Sequence, residues 1–281
     1  MRKKVASPNV ADELMPGVST ALLQDLHLLT RTGDLNADAR RKLKQINHLI
    51  HLLRPAIDDA LARHPEPAVV DCGAGKSYLG FLLYETVLGP AGRGTLHAIE
   101  ARAELADAAA GRARRFGHER LRFVPGDIAT ATAALPPRLH LVTALHACDT
   151  ATDDALLLAI RAGADHVAVV PCCQAEVARQ LADADVDDPA ARALFEHPWH
   201  RRELGSHLTN VVRALALEAH GYKVTVTELA GWEHSLKNEL ILGRRVQRHD
   251  ARAQERLDAL LARFGIRPAL IRGLDTMPRS P

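Results

Sequence analysis

The sequence lacks the long apolar run that a membrane-spanning helix needs. No uninterrupted stretch approaches the ~18 residues required, although 47% of its 281 residues are hydrophobic. The basic start of the chain is followed by no apolar segment, so we expect no secretory signal peptide. Cysteine is scarce, and the four cysteines lie in or beside apolar runs and not in a small, loop-rich scaffold. These absences predict a cytoplasmic protein with no membrane partner.

The chain also lacks an overall excess of one charge, because 36 Lys and Arg residues nearly balance 34 Asp and Glu residues. The distribution is uneven. Residues 1–64 carry ten basic and seven acidic side chains, residues 65–242 carry seventeen and twenty-three, and residues 243–281 carry nine and four. Basic ends around an acidic core are typical of contact with a polyanion or of a solvated, arginine-rich surface.

What is present is a glycine-containing turn. Residues 69–79 read Val-Val-Asp-Cys-Gly-Ala-Gly-Lys-Ser-Tyr-Leu, an apolar strand that ends on an acid and turns into a helical pattern. Such a turn lets backbone amides approach a ligand closely. A phosphate-binding P-loop would need glycine at Val70, and a dinucleotide fingerprint would need one near Tyr78. S-adenosylmethionine has no phosphate and a cationic methionine half, so it suits the acid better.

The same turn resembles motif I of class I methyltransferases. Asp71, Gly73 and Gly75 are in register with that motif, and Ser77 stands where many members have glycine. The resemblance implies that the turn binds S-adenosylmethionine. A tight turn in an unrelated α/β protein is the alternative that this stretch alone leaves open.

The periodicity of apolar residues predicts helices first and then strands alternating with helices. In the N-terminal region an apolar stripe recurs at helical spacing up to Leu53, and Pro55 is expected to end or kink that helix. Alternation from residue 68 predicts a parallel sheet with helices on both faces. The predicted strands are 68–72, 95–99, 121–124, 139–145, 166–170, 222–229 and 237–244, and the predicted helices lie near 77–88, 102–117, 151–162, 174–185, 206–220 and 251–264.

The last two predicted strands are joined too closely for a crossover helix, so they should pair antiparallel. A parallel sheet finished by such a hairpin is the seven-stranded, Rossmann-like α/β plan of class I methyltransferases. We therefore expect an N-terminal helical extension at 1–64 and a methyltransferase domain at 65–249. A basic C-terminal helix and a short tail should occupy 250–281.

Polar residues at the predicted strand ends complete a cofactor site, because ligands of open parallel sheets lie beyond the carboxyl ends of the strands. Glu100 can accept hydrogen bonds from both ribose hydroxyls. Asp127 could accept from the adenine amino group while Ile128 packs against the ring. The predicted cofactor-binding residues are Asp71, Gly73, Ala74, Gly75, Tyr78, Glu100, Asp127, Ile128, Leu145 and His146.

Strands four and five open into His146-Ala147-Cys148-Asp149 and Pro171-Cys172-Cys173-Gln174. With Ala151-Thr152-Asp153, these motifs resemble a methyltransferase family that includes the eukaryotic tRNA acceptor-stem 2′-O-methyltransferases. The family also holds proteins with a ribosomal RNA adenine dimethylase domain, and bacterial members. The segments 42–47 and 234–238 agree with it, and the resemblance covers roughly residues 40–245. It implies an RNA substrate, tRNA or rRNA.

His146 is the predicted general base, because a histidine pKa near 6.5 suits proton transfer at neutral pH. Its alternative role is to hold the loop after strand four. Asp149, Cys172 and Cys173 are further catalytic candidates, since a thiolate can add to a pyrimidine and activate its C5. Purely structural, buried thiols are the alternative. A metal held by Cys148 and its neighbours is not expected, because adjacent cysteines fit tetrahedral coordination poorly.

Aromatic and arginine side chains within 195–203, predicted as a loop over the active face, could stack a base and hold phosphate. A packed lid is the alternative. The predicted substrate-binding residues are Trp199, Arg201, Lys44, Asn47, Lys237 and Asn238. The sequence therefore predicts an RNA methyltransferase. The alternatives are a methyltransferase for a small molecule or protein, and a catalytically idle module that binds cofactor or RNA.

Overall fold

The computed structural model describes residues 16–145, 150–171, 174–229 and 239–276. Its strands are β1 (Ala68–Cys72), β2 (Thr95–Glu100), β3 (Leu121–Pro125), β4 (Leu141–Leu145), β5 (His166–Val170), β6 (Tyr222–Glu228) and β7 (Glu239–Arg245). Its helices are α1 (Thr20–Asp25), α2 (Ala37–Arg63), α3 (Tyr78–Leu83), α4 (Gly89–Ala91), α5 (Ala103–Arg115), α6 (Ile128–Ala131), α7 (Thr150–Ala162), α8 (Glu176–Asp183), α9 (Pro189–Ala193), α10 (Pro198–Ala219), α11 (Ala251–Phe264) and α12 (Ala269–Asp275). A π-helical turn, Tyr84–Leu88, joins α3 to α4, and a 3₁₀ turn, Thr132–Ala134, follows α6.

The seven strands form one sheet in the order β3-β2-β1-β4-β5-β7-β6. Strands β1 to β5 are parallel, while β7 lies antiparallel to both β5 and β6. The predicted α/β fold class and the antiparallel pairing of the last two strands are therefore confirmed. The reversal of strand order beside β1 and β4 is where an open parallel sheet places its ligand.

Two apolar layers cover the two faces of the sheet, because successive side chains of a strand point to opposite faces. Val69 of β1 packs in the layer that contains α2 and α3, whereas Val70 packs in the layer of α7 and α10. The N-terminal helix thus lies against the sheet, as predicted. No helix among the described residues is both long and apolar enough to cross a bilayer.

Helix α2 continues through Pro55 to Arg63, so of the two outcomes expected for this proline, an end or a kink, the end was wrong. The side chain of Asn36 caps its start by accepting from the Ala39 N–H at 2.8 Å. Proline removes the hydrogen bond to the carbonyl of His51. Both Pro55 and His51 are exposed, so water can solvate that carbonyl, while the buried Ile57 beyond the proline keeps the helix on the sheet.

Two helical segments near the C-terminus also differ from the prediction. Helix α10 begins at Pro198, eight residues before the predicted start at 206, so most of the segment expected to be a loop is helical. Proline at the first helical position is the signal that sequence reasoning missed. Beyond α11, the expected short tail contains α12, whose Leu270 and Ile271 are buried against α7.

Candidate active site

A cavity of about 350 Å³ lies at the carboxyl ends of β1 and β4, and helix α2 forms one of its walls. Five of the predicted cofactor-binding residues line it: Asp71, Gly73, Ala74, Tyr78 and Leu145. Helix α2 contributes Lys42, Gln45, Ile46 and Leu49. The glycine turn, the end of β4 and the N-terminal helix therefore share one cavity.

The turn after β1 takes a backbone conformation that explains its glycines. Gly73 and Gly75 have φ angles of 69° and 57°, in the left-handed region that favours glycine. Ser77 shares this conformation with φ 55°, which accounts for the glycine that many class I methyltransferases have there. The Ala74 N–H donates to the carbonyl of Ile99 at 2.9 Å and fixes the turn to β2. The turn thus has the shape that close approach of a ligand requires.

Asp71 ends β1 with a carboxyl that is only 3% exposed. The hydroxyl of Thr143, its register partner on β4, donates to Asp71 Oδ1 at 3.0 Å. Burial raises the pKa of Asp71 to about 7, and the bond from Thr143 offsets only part of that effect. A buried carboxyl that lines a cavity and titrates near neutrality is suited to pair with a cation inside that cavity.

Glu100 ends β2 and is already held by three hydrogen bonds. The Gly75 N–H donates to Oε2 at 2.7 Å, and the Nε and backbone N–H of Arg102 donate to Oε1 at 2.7 and 3.1 Å. Burial alone would raise the pKa of Glu100, but these bonds lower it. The carboxylate is therefore ionised, is tied to the glycine turn, and keeps acceptor capacity for a ribose.

Asp127 and Ile128 lie at the end of β3, beside Glu100 on the neighbouring strand. Asp127 caps α6 by accepting from the Thr130 N–H at 2.8 Å, and hydrogen bonds from Thr130 lower its pKa. Ile128 is buried and lines a separate cavity of about 270 Å³ together with Asp154 of α7. Burial and the charge of Asp127 raise the pKa of Asp154, a residue that sequence reasoning did not single out.

The donors and acceptors at these strand ends fit S-adenosylmethionine. A buried carboxyl beside the glycine turn matches the cationic methionine half, and the Glu100 carboxylate matches a ribose diol. A phosphate placed at this turn would lie beside the carboxylates of Asp71 and Glu100, which disfavours nucleotide cofactors. When bound, the cofactor supplies an electrophilic methyl group on sulfur.

Lys44 and Asn47 do not line the cavity; the residues of α2 that do are Lys42 and Gln45. Lys44 is exposed and Asn47 is half-buried. The four cavity-lining positions of α2 follow the spacing i, i+3, i+4 and i+7, which places them along one side of a helix. The apolar stripe of α2 shows which side of the helix is buried, but which of its polar neighbours line the cavity depends on how the helix packs against the sheet.

A buried polar network connects the segments that follow β4 and β5 to the start of β7. On helix α10, Arg213 Nε donates to Asp153 Oδ1 at 2.7 Å, and Arg213 Nη1 donates to Asn210 Oδ1 at 3.2 Å. Asn210 Nδ2 donates to Glu239 Oε2 at 2.8 Å, and Gln174 Nε2 donates to Asn210 Oδ1 at 3.1 Å. Arg213 and Asp153 are almost completely buried. One helix thus anchors three segments that follow the predicted reactive and substrate-binding residues in the sequence.

The predicted reactive residues lie outside the described residues, namely His146, Asp149, Cys172, Cys173, Lys237 and Asn238. Their flanks are described. Leu145 and Val170 are register partners at the ends of β4 and β5, and Leu145 lines the cavity. The sheet therefore brings the chain to the cavity immediately before His146, while the roles of these residues stay predictions.

Trp199 and Arg201 lie on the first turn of α10, where Trp199 is 61% exposed. The guanidinium of Arg202 sits 4.2 Å from the centroid of the Trp199 ring. Phe195 is buried and packs near Phe264, so it belongs to the core. The exposed part of the predicted 195–203 segment includes this tryptophan and arginine, and Arg202 also pairs with Glu203 at 3.2 Å.

Another group of titratable side chains lies at the amino ends of β4 and β5. His64 Nε2 is 2.8 Å from Asp165 Oδ2, and the His64 and His140 rings are 4.1 Å apart. His140 Nδ1 accepts from the Ala68 N–H at 2.9 Å, so its other ring nitrogen carries the proton of the neutral form. Arg63 also lies 3.4 Å from Asp165. This cluster is therefore held together by ion pairs and hydrogen bonds.

Comparison with known proteins gives a family match and similar folds. Residues 41–180 match the model of a family described as "Methyltransferase domain". No curated protein matches the chain. Solved structures with similar folds include a cofactor-bound protein, Rv0187, from MTB, which is 20% identical over 85% of this chain and 98% of that one, with a TM-score of 0.49.

Two further solved structures have slightly lower TM-scores and lower sequence identity. Magnesium protoporphyrin IX methyltransferase from Synechocystis, with bound SAH, is 12% identical over 81% of this chain and 95% of that one, with a TM-score of 0.48. An rRNA methylase from Streptococcus thermophilus is 12% identical over 70% of this chain and 96% of that one, with a TM-score of 0.45.

Proposed function

We propose that this chain, an S-adenosylmethionine-dependent methyltransferase with the class I fold, methylates RNA. The observation that carries the RNA proposal is the exposed Trp199 with the Arg202 guanidinium on its face. Bases stack on exposed aromatic rings, and arginines hold the phosphates beside them. Arg201, on the same helical turn, adds a second cation to this surface.

The family resemblance supports the same substrate class. The segments around His146 and the paired Cys172 and Cys173 resemble enzymes that methylate tRNA, and proteins named for a ribosomal RNA dimethylase domain. The acceptor proposed here is accordingly a tRNA or rRNA nucleotide. Lys44, Asn47, Lys237 and Asn238 remain proposed contacts to it.

The chemistry asked of the chain is positioning and proton removal, because methyl transfer from a sulfonium is an in-line displacement. A lone pair of the acceptor forms the new bond to the methyl carbon as the carbon–sulfur bond breaks, and the acceptor proton passes to a base. His146 is the proposed base, and Asp149, three residues later in the sequence, is a further catalytic candidate. If the target is a pyrimidine C5, a thiolate of Cys172 or Cys173 would first add to the ring.

One observation favours a different acceptor. The side chains from α2, β4 and Leu229 that line the cavity are largely apolar, which suits a small, flat molecule held beside the cofactor. A small-molecule methyltransferase would need no exposed stacking surface, so the two functions differ in what Trp199 contributes.

The test is transfer of labelled methyl groups from S-adenosylmethionine to total RNA from cells that lack the protein, with the modified nucleoside identified by mass spectrometry. Trp199→Ala should weaken RNA binding by about tenfold. The control Leu194→Ala removes a nearby exposed apolar side chain without a ring and should leave binding unchanged. RNA affinity should also fall steeply with salt. Label in a small-molecule fraction, with none in RNA, would establish the alternative.

The proposed base has a separate test. His146→Ala should lower turnover at least about tenfold while cofactor binding persists. Unchanged turnover would remove His146 from the mechanism. Full activity of Cys172→Ser and Cys173→Ser would likewise exclude the thiolate route.

A further inference from the structure

The methionine half of S-adenosylmethionine carries both an α-ammonium and an α-carboxylate, so a site that binds it must accommodate charges of both signs. Asp71, at the end of β1, offers a carboxyl to the cavity from the sheet. An acid can match the ammonium and the sulfonium, but it repels the carboxylate. A positive or hydrogen-bond-donating partner is therefore needed on another wall.

Lys42 is the one cationic side chain among the described residues that line this cavity. It lies on α2, whereas the glycine turn lines the same cavity from the end of β1. The Lys42 side chain is 45% exposed. Tyr78, at the start of α3 just after the glycine turn, lines the same cavity. The structure thus places a negative and a positive side chain on two elements that face one cavity.

Lys42 already forms an ion pair with Asp38, but this pair does not prevent it from binding a negative group in the cavity. Its Nζ lies 2.7 Å from Asp38 Oδ2, one helical turn earlier on α2. Both side chains are exposed, and exposed ion pairs of this kind are weak and exchange readily. The ammonium can therefore turn from Asp38 to a carboxylate inside the cavity without breaking a buried contact.

We propose that Lys42 binds the methionine carboxylate of the cofactor while Asp71 accepts the ammonium of the same group. Helix α2 is then a part of the cofactor site as well as a cover of the sheet. The inference concerns the cofactor alone, so it stands or fails whatever the methyl acceptor is.

Calorimetric titration with two ligands tests this assignment on the full chain. S-adenosylmethionine carries the carboxylate, and decarboxylated S-adenosylmethionine lacks only that group. Lys42→Met keeps the apolar stem and removes the charge. This substitution should weaken the affinity for S-adenosylmethionine by about tenfold, the usual effect of losing a hydrogen bond between charged groups. The affinity for the decarboxylated ligand should stay unchanged.

Three matched variants complete the experiment. Lys42→Arg keeps the charge and should retain most of the preference for the carboxylate. Arg54→Ala removes an exposed cation from the same helix that does not line the cavity, and should change neither affinity. Asp71→Asn should weaken both ligands, because both carry the ammonium.

Two outcomes would overturn the assignment. Equal weakening of both ligands by Lys42→Met would mean that the residue acts through the helix and not through the carboxylate. An unchanged affinity for S-adenosylmethionine would mean that no contact exists. Because Lys42 is exposed, each variant should have the same thermal unfolding midpoint as the native chain. An equal midpoint shows that a lower affinity does not result from a loss of folding.

Discussion

At the scale of single residues, Asp71 should make cofactor binding depend on pH. Its pKa is raised to about 7 by burial, so the carboxyl is mostly neutral at pH 6 and mostly ionised at pH 8. Only the ionised form attracts the ligand ammonium. The affinity for S-adenosylhomocysteine, which keeps that ammonium, should therefore be about tenfold weaker at pH 6 than at pH 8 in calorimetric titrations.

The control for this prediction is Asp71→Asn, whose affinity should be lower and flat over the same range. A native affinity that does not vary between pH 6 and pH 8 would contradict it.

Asp71→Asn should also raise the free energy of unfolding at pH 8. A folded-state pKa above the unfolded value near 3.9 means that stability is lost as pH rises from about 4 to 7, and asparagine removes that loss.

Ser77 is strained in a way that glycine would relieve. It has a left-handed backbone, its side chain is fully buried, and its hydroxyl has no hydrogen-bond partner. Ser77→Gly should therefore stabilise the chain by about 1 kcal/mol in urea unfolding. Ser77→Ala removes the hydroxyl but keeps the backbone strain, so its gain should be smaller. A loss of stability in Ser77→Gly would show that the hydroxyl is bonded in solution.

The residues that sequence reasoning placed in the cofactor site are those with a local signature. Asp71 and Gly73 follow from a strand that ends on an acid before a turn, and the structure brings both to the cavity. Lys42 was missed because its contribution depends on how α2 rotates against the sheet, which packing decides. The bonds from Arg102 and Gly75 to Glu100 likewise join residues whose proximity only the folded turn creates.

At the scale of elements, the contact between α8 and α10 depends on a glycine. A Cβ on Gly205 would lie 2.6 Å from the backbone nitrogen of Ala178 and 2.7 Å from its Cα. Gly205→Ala should therefore destabilise the chain by about 2 kcal/mol in urea unfolding, although alanine is the better helix former. Gly111→Ala, on the partly exposed face of α5 with only ordinary contacts, should instead be neutral or stabilising.

An unchanged stability in Gly205→Ala would mean that the two helices separate without cost. A loss of stability in Gly111→Ala as large as that in Gly205→Ala would mean that the cost does not come from the close approach of α8 and α10.

Elements with strong periodicity were predictable and the exceptions have physical causes. β1 and β5 have the predicted bounds, and the other strands agree to within two residues. The early start of α10 was missed because tryptophan, histidine and arginine were taken for a binding loop. The continuation of α2 through Pro55 was missed because burial of the helix beyond it outweighs one lost hydrogen bond.

At the scale of the molecule, part of the uneven charge of the sequence is matched within the fold. Arg256 pairs with Glu218 of α10 at 3.1 Å, Arg263 pairs with Asp188 at 2.5 Å, and Arg272 pairs with Glu176 at 2.7 Å. These three C-terminal arginines pair with acids of the core, so part of the basic charge at this end of the chain is matched within the fold. Salt titrations of RNA binding should therefore be accompanied by unfolding measurements at the same salt concentrations.

The C-terminal helices should unfold together with the rest of the chain. Leu270 of α12 is completely buried and belongs to the same apolar layer as α7 and α10. Leu270→Ala should lower the free energy of unfolding by about 2–5 kcal/mol and keep a single cooperative transition. Arg256→Ala, which removes an exposed ion pair on α11, should have little effect. An unchanged free energy of unfolding in Leu270→Ala would mean that residues 250–281 do not contribute to the stability of the core.

The network around Arg213 has a consequence for how this enzyme can change. Because Asp153, Gln174 and Glu239 are tied to α10 through one arginine and one asparagine, the effects of substitutions at any two of these positions should not add. A segment transferred from a relative that methylates another acceptor would lack the matching hydrogen-bond partners on α10. To change the acceptor specificity, the three segments should therefore be replaced together with Asn210 and Arg213 of α10, which hold them.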